Sequence, residues 1–342
     1  MPQFQFVLPL PFLCLCVDLA AETRLYLGSS VFASIIEVDT ATGNRKLIDL
    51  DDWPRVIKAT DLAVSREGFV YFDAFDALQR TGIHRVDPTS QAVLPISGGI
   101  DGFRNDLLGE GPSFGRIDHL SLDGGQLFAI SLGQTLIRTE LTTGDRFFVT
   151  SPPEPPTSRT LALDQPSPGA LPNNFVDLVP IDAQTLLVAD AFEGLMYVDI
   201  PSGRVTSWNP GSILRSNPRR LDLAPDGRLL YSIADPDEAA LWAVNLRTGT
   251  ETLFSGSFGG IEAGDGPLFR SPSDIAVDAR GNIWVYDALE LSLYRLTQDG
   301  DRTLVSSPTV GSGDDFFSFQ FSPSLATFEK AYPSQRLGWL VY

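Results

Sequence analysis

The chain is poor in the residues on which much protein chemistry depends. Its 342 residues include only two cysteines, two histidines and three lysines. Cys14 and Cys16 stand one residue apart near the N-terminus, where a mutual bridge would be strained and would staple nothing, so the fold does without disulfides. His84 and His119 are too few for a three-histidine zinc site. Scarce lysine argues against Schiff-base chemistry and against a phosphate-cradling lysine loop. Positive charge is scarce as well: 25 lysines and arginines oppose 43 aspartates and glutamates, a net charge of −18. That field repels polyphosphate and acidic lipid, which argues against nucleic acid as a partner and leaves a small molecule or a protein. Long apolar runs are missing too. Phe6 to Val17 comes nearest and is too short to span a bilayer, so no integral membrane segment is expected in the mature chain. With Ala20-Ala21 after it, this run resembles the core and cleavage site of an export signal. The expectation is a signal peptide over residues 1–21, then a single domain over 22–342, secreted or periplasmic. "MPQFQ" without a positive charge, and Pro9 and Pro11 inside the run, count against that expectation.

What the chain does have is repetition. "DIAVDARGNIWVYD" from Asp274 lines up with "DLAVSREGFVYFDA" from Asp61 and "DLVPIDAQTLLVAD" from Asp177. Looser copies begin at Arg220, "RLDLAPDGRLLYSI", and at His119, "HLSLDGGQLFAIS". Each is two apolar, β-prone runs about a tight turn, which is the pattern of a hairpin. A second phrase follows each hairpin: an apolar strand, a polar turn and another short strand, as in "TLIRTELTTGDRFFV" and "SLYRLTQDGDRTLV". Five of its six turns carry glycine (Gly43, Gly144, Gly203, Gly249, Gly300), and Gln91 holds the sixth. Four short strands per unit is the content of a propeller blade. The first unit, near "RLYLGSS", lacks an inner strand, whereas "FFSFQFSPS" from Phe316 is left over at the other end. The expected fold is therefore all-β, a six-bladed β-propeller closed by pairing of a C-terminal inner strand with the N-terminal blade. A worn seventh copy within Thr327 to Tyr342 is the alternative.

The phrase "GDGPLFRSPSDIAVDARGNIWVYD" from Gly264 resembles the NHL repeat, with its Gly-x-Gly-Pro loop, proline, inner strand, glycine turn and strand ending in aspartate. "GEGPSFGRIDHLSLD" from Gly109 repeats the loop part. The resemblance implies a six-bladed propeller akin to the gluconolactonase-like and streptogramin-lyase-like proteins. Gluconolactonase-like enzymes carry a ligand aspartate and a ligand asparagine at two strand entrances. The matching positions here are Ser273 and Arg219, so this chain departs from that metal-binding set.

Ligands of propellers usually sit where the inner strands open onto the central channel. The residues at that point are Asp61, His119, Asp177, Arg220 and Asp274, with Asp118 and Arg219 one step earlier. The ligand-binding candidates are Asp61, Asp118, Asp177, Arg219, Arg220 and Asp274. His119 is the one candidate general base, because histidine titrates near neutral pH. His84, in the outer strand "GIHRVD", is expected to face solvent. Asp61, Asp177 and Asp274 are candidate carboxylate ligands for calcium or magnesium, although no loop has a calcium-ligand spacing. The bland reading is that these aspartates tie down loops through backbone hydrogen bonds. Two functions follow: a ligand- or protein-binding module, or a divalent-cation-dependent hydrolase or lyase with His119 as base.

Overall fold

The computed structural model describes residues 24–28, 34–50, 58–75, 81–98, 108–150, 175–191, 193–208, 218, 220–235, 238–278, 280–313 and 324–327. The expected signal sequence, Arg219, the proline-rich stretch 151–174 and the tail beyond Thr327 lie outside them. Among the described residues there is no helix, and six antiparallel sheets form the six blades of a propeller. Blade 2 consists of Lys58–Val64, Val70–Phe75, Thr81–Val86 and Val93–Gly98, and blade 3 of Ile117–Asp123, Gln126–Ser131, Thr135–Glu140 and Arg146–Phe148. Blade 4 holds Phe175–Asp182, Thr185–Asp190, Gly194–Asp199 and Val205–Ser207. Blade 5 holds Leu221–Leu223, Arg228–Asp235, Glu238–Asn245 and Thr250–Phe258, with a fifth strand, Ile261–Ala263, added at its edge. Pro272–Val277, Ile283–Asp287, Ser292–Leu296 and Arg302–Ser306 make blade 6. In each of these blades the first strand is innermost, and the chain then runs outward.

Blade 1 is assembled from both ends of the chain. Arg24–Gly28, Ser34–Asp39 and Arg45–Asp49 supply three strands, and Ser324–Thr327 pairs antiparallel with Arg24–Gly28 to supply the innermost. The closing strand thus lies at the end of the "FFSFQFSPS" run, beginning on its last residue; Phe316 to Pro323 lie outside the described residues. A signal for it was present: Ser322-Pro323-Ser324 repeats Ser271-Pro272-Ser273, which leads into the inner strand of blade 6. Proline suits the first residue of a strand because no ladder bond is asked of its nitrogen. Each inner strand touches the next in cyclic order, blade 6 to blade 1 included, so the ring is closed.

The core is divided among the seams. Six apolar clusters each span one pair of neighbouring blades. Alternation along a strand sends successive side chains to opposite faces, and in a propeller both faces meet another blade. In the second strand of blade 6, Ile283 and Val285 pack toward blade 5 while Trp284 and Tyr286 pack toward blade 1. This geometry corrects the expectation for His84. It is 1 % exposed and its ring lies 5.5 Å from that of Phe72 in the seam between blades 1 and 2. Burial lowers its pKa to about 4, so it is a neutral core residue. A third strand remains inside the wheel. At the predicted turn, Gln91 takes a φ of 57°, the left-handed conformation its glycine counterparts adopt.

The Gly-x-Gly-Pro loops have a partner at the rim. Arg146, 2 % exposed, donates from Nε to Pro112 O at 2.6 Å, from Nη1 to Ser97 Oγ at 2.7 Å and Leu108 O at 2.6 Å, and from Nη2 to Gly109 O at 3.2 Å. Ser97 in turn donates to Gly144 O. The same arrangement recurs with Arg302, Ser255 and Gly300 between blades 5 and 6. It recurs with Arg45, Ser306 and Gly43 between blades 6 and 1. Gly109 has a φ of +72°, and a Cβ there would lie 1.9 Å from Gly144 O, so glycine is required by conformation and by space.

Candidate functional site

The register aligns one residue per blade at the opening of the inner strand. Asp274 pairs with Tyr286, Asp177 with Ala189 and His119 with Ile130. Arg220 immediately precedes Leu221, which pairs with Tyr231. In blade 1 the equivalent register position, opposite Gly28, belongs to Ser324. The inner strands of blades 2, 3, 4 and 6 each shift register at this point. Such bulges bend a strand and re-aim the side chain at the bend.

The side chains brought together form a belt across the seams. Asp61 Oδ2 accepts the backbone N–H of Leu120 in the next blade at 2.5 Å, and Asp177 Oδ2 that of Leu221 at 2.6 Å. His119 fills the gap between them, with Nε2 2.5 Å from Asp177 Oδ1 and Nδ1 2.8 Å from Asp61 Oδ2. The Nδ1 contact is off line, more Coulombic than a hydrogen bond. Arg220 Nε lies 3.5 Å from Asp274 Oδ1. Charges therefore alternate from blade 2 to blade 6: Asp61, His119, Asp177, Arg220, Asp274. The three carboxylates are almost wholly buried. Buried charges persist only when paired and hydrogen-bonded, and each of these aspartates has a cation beside it and accepts a backbone amide.

This pairing sets the protonation states. Burial alone would lower the pKa of His119, but the negative charges of Asp177 and Asp61 and the hydrogen bond from the ring to Asp177 outweigh it and raise the value to about 10. The ring is an imidazolium at neutral pH, and in that state it has no lone pair with which to take a proton. For Arg220, burial lowers the pKa, and the fields of Asp274, Asp61, Asp177 and Asp118 more than offset it, holding the group above its ordinary range. Among the described residues no group of three or more histidine, cysteine, aspartate or glutamate side chains is disposed to hold a metal ion. The oxygens of Asp61 and Asp177 are engaged by His119 and by backbone amides, so they do not fit a calcium or magnesium cage as they stand.

Sequence reasoning missed Asp222. It is wholly buried, and its Oδ2 accepts the N–H of Val277 in blade 6 at 2.7 Å, continuing the ties of Asp61 and Asp177 from a site two residues further along the strand. The available signal was a lone carboxylate inside "RLDLAP", since a charge flanked by leucines in a strand must be paired. Sequence reasoning also passed over Asp73, whose Oδ1 accepts the N–H of Asp61 and so supports the belt from the second strand. Asp118 lies one step before His119: its Oδ1 accepts from Arg116 Nε at 2.6 Å.

No protein-family model and no curated protein sequence matches this chain. Solved structures do match it. A protein of unknown function from Bacteroides caccae is similar with a TM-score of 0.58 at 11 % identity, covering 91 % of this chain and 100 % of that one. A chain of a nidogen/laminin complex is similar with a TM-score of 0.57 at 11 % identity, over 89 % of this chain and 98 % of that one. TolB from Acinetobacter baumannii reaches 0.55 at 13 % identity, over 90 % of this chain and 67 % of TolB. At such identities the likeness is one of fold, and the fold is the six-bladed propeller implied by the NHL-like repeats.

Proposed function

We propose that this protein is an exported, NHL-like propeller that binds a ligand through its central channel and loop-bearing face, without chemistry of its own. The observation that supports this reading is the saturation of the belt: Asp61, Asp177 and Asp274 have each taken up a cation and a backbone amide. Groups so engaged hold a frame in shape. His119, between two carboxylates, is a positioning cation of that frame, and Arg220 is the group turned to the ligand. Export is supported by the apolar run from Phe6 to Val17 and the alanines after it, and an intact Met1 on the mature protein would overturn it.

The competing reading is a hydrolase or lyase that uses a divalent cation on Asp61, Asp177 and Asp274. Elemental analysis of the purified protein, with a thermal-shift titration against Ca²⁺ and Mg²⁺, separates the two. Binding without chemistry predicts no stoichiometric ion and no saturable shift. An ion held at one per chain and lost in Asp177→Ala would favour the enzyme instead.

A further inference from the structure

The buried arginines at the rim use their donors fully. Arg302 donates to Pro267 O, Ser255 Oγ, Ala263 O, Gly264 O and Gly266 O, and Arg146 is engaged in the same way. Every one of these partners is a neutral oxygen, and most are amide carbonyls of the backbone. Arg220 is different. Its side chain is 14 % exposed, and its Nε stands 3.5 Å from Asp274 Oδ1, a contact of charges longer than a normal hydrogen bond. Its two Nη nitrogens donate to no described residue, and they are not among the enclosed polar atoms that lack a partner. The fork therefore meets solvent with its Nη donors free, at the point where the inner strand of blade 5 opens.

Two needs of a largely buried guanidinium come apart at this residue. Its charge is compensated, and its hydrogen bonds are not made. The belt sets three carboxylates, Asp61, Asp177 and Asp274, against two cations, His119 and Arg220. An anionic ligand would add a second uncompensated negative charge in a place poorly reached by water, where such charge is costly, and it would approach against a net charge of −18. A cation would meet the guanidinium itself. A hydroxyl brings a donor with each acceptor, and the oxygens of Asp61 and Asp177 are already engaged by His119 and by backbone amides. What the fork lacks is an acceptor that carries neither a charge nor a hydrogen of its own. An amide carbonyl is such a group, and it is what the same side chain takes at the rim.

We propose that the Nη edge of Arg220 binds the carbonyl oxygens of a small uncharged amide. This rests on the binding-module reading. The test is calorimetric titration of the full chain with three compounds of one skeleton: N-acetylsarcosine dimethylamide, which is neutral and has no N–H, N-acetylsarcosine, its carboxylate, and sarcosine dimethylamide, its ammonium. Glycerol serves as the hydroxyl probe. The neutral amide is expected to saturate the native protein and to bind at least about tenfold more tightly than the other three. Arg220→Lys keeps the charge and removes the fork, Arg220→Met removes both, and each is expected to weaken binding of the neutral amide at least about tenfold. Circular dichroism checks that the variants keep the fold. If neither does, NMR of nitrogen-15-labelled arginine side chains in the native protein decides, because the neutral amide must then shift the guanidinium resonances of Arg220 and leave those of Arg146 and Arg302 in place. The proposal is overturned if the neutral amide does not bind the native protein at ~10 mM, if the carboxylate, the ammonium or glycerol binds as well as it does, or if both folded variants retain its affinity. Absence of amide binding in a protein free of stoichiometric Ca²⁺ or Mg²⁺ would sink this ligand class alone, whereas a bound ion would sink the binding-module reading.

Discussion

The channel belt and the rim clamps join the same kind of blades by opposite means. At the rim, Arg45, Arg146 and Arg302 are held by carbonyl and hydroxyl oxygens, so a full charge is met by dipoles. In the channel, His119 and Arg220 are met by carboxylates. Dipoles do not titrate, and a guanidinium stays charged across the range in which imidazole does not. The arginine contacts of the outer joints are therefore insensitive to pH around neutrality, while the inner belt depends on the protonation of His119. The difference also separates scaffold from site. Arg302 has every group of its fork occupied, whereas the fork of Arg220 donates to no described residue.

The largest effect is expected at the rim. Arg146→Met removes the donor from Pro112 O, Leu108 O, Gly109 O and Ser97 Oγ together. Buried acceptors left unpaired make this a loss of roughly 3–5 kcal/mol, read as a fall in the denaturant midpoint. The deficit should be the same at pH 6 and pH 9. A deficit that changes with pH would erase the contrast with the channel.

Next comes Asp177→Asn. The amide is nearly isosteric and retains an acceptor for Leu221 N–H, but one of the two charges on His119 disappears. The loss is that of a charged hydrogen bond, about 1.5–3 kcal/mol. The pKa of His119, followed by NMR of the ring, should drop well below about 10, where it lies in the native protein. An unchanged titration would mean that Asp177 does not set the charge of the belt.

The two histidines then give the native protein opposite pH limbs. His119 has a folded pKa of about 10 against an ordinary value of 6.5, so its contribution is complete below pH 6.5 and fades as pH rises through 10. His84 has a folded pKa of about 4, so its contribution is complete above pH 6.5 and fades as pH falls through 4. His119→Gln should flatten the alkaline limb of the melting-temperature profile and His84→Gln the acid limb. Each should leave the other limb unchanged, and exchange of the two effects would reverse the assignment of buried neutral and buried charged ring.

How much of this was legible in the sequence depends on the range of the interaction. The blades could be read because alternation and glycine turns are local: Gly43, Gly144 and Gly300 mark their turns without reference to anything distant. The convergence of Asp61, Asp177 and Asp274 followed from the repeat. What the belt does with them did not. The imidazolium between two carboxylates depends on His119 standing in blade 3 between Asp61 in blade 2 and Asp177 in blade 4, residues 58 apart on each side of it in the chain. His84 was misjudged because a third strand looks peripheral in sequence, although in the wheel both its faces are covered. The rim arginines went unread for a related reason: Gly144-Asp145-Arg146 and Gly300-Asp301-Arg302 are visible repeats, but their meaning lies in loops some 36 residues before them.

The smallest effect is expected in one of those loops, at a residue whose type suggests the largest. Glu110 stands between the glycines of the loop and carries an exposed carboxylate, so its side chain looks like a rim ligand. The clamp uses only its backbone: its N–H donates to Asp145 Oδ1 at 2.7 Å, and its carbonyl accepts from Arg146 N at 2.7 Å. Glu110→Ala keeps both bonds, and stability should change by less than about 0.5 kcal/mol, as for other surface substitutions. Asp145→Ala removes the acceptor for that amide and should cost about 1 kcal/mol. If the order were reversed, with Glu110→Ala the more damaging of the two in denaturation, the loop would be held by the Glu110 side chain and not by its backbone, and the backbone clamp would be wrong.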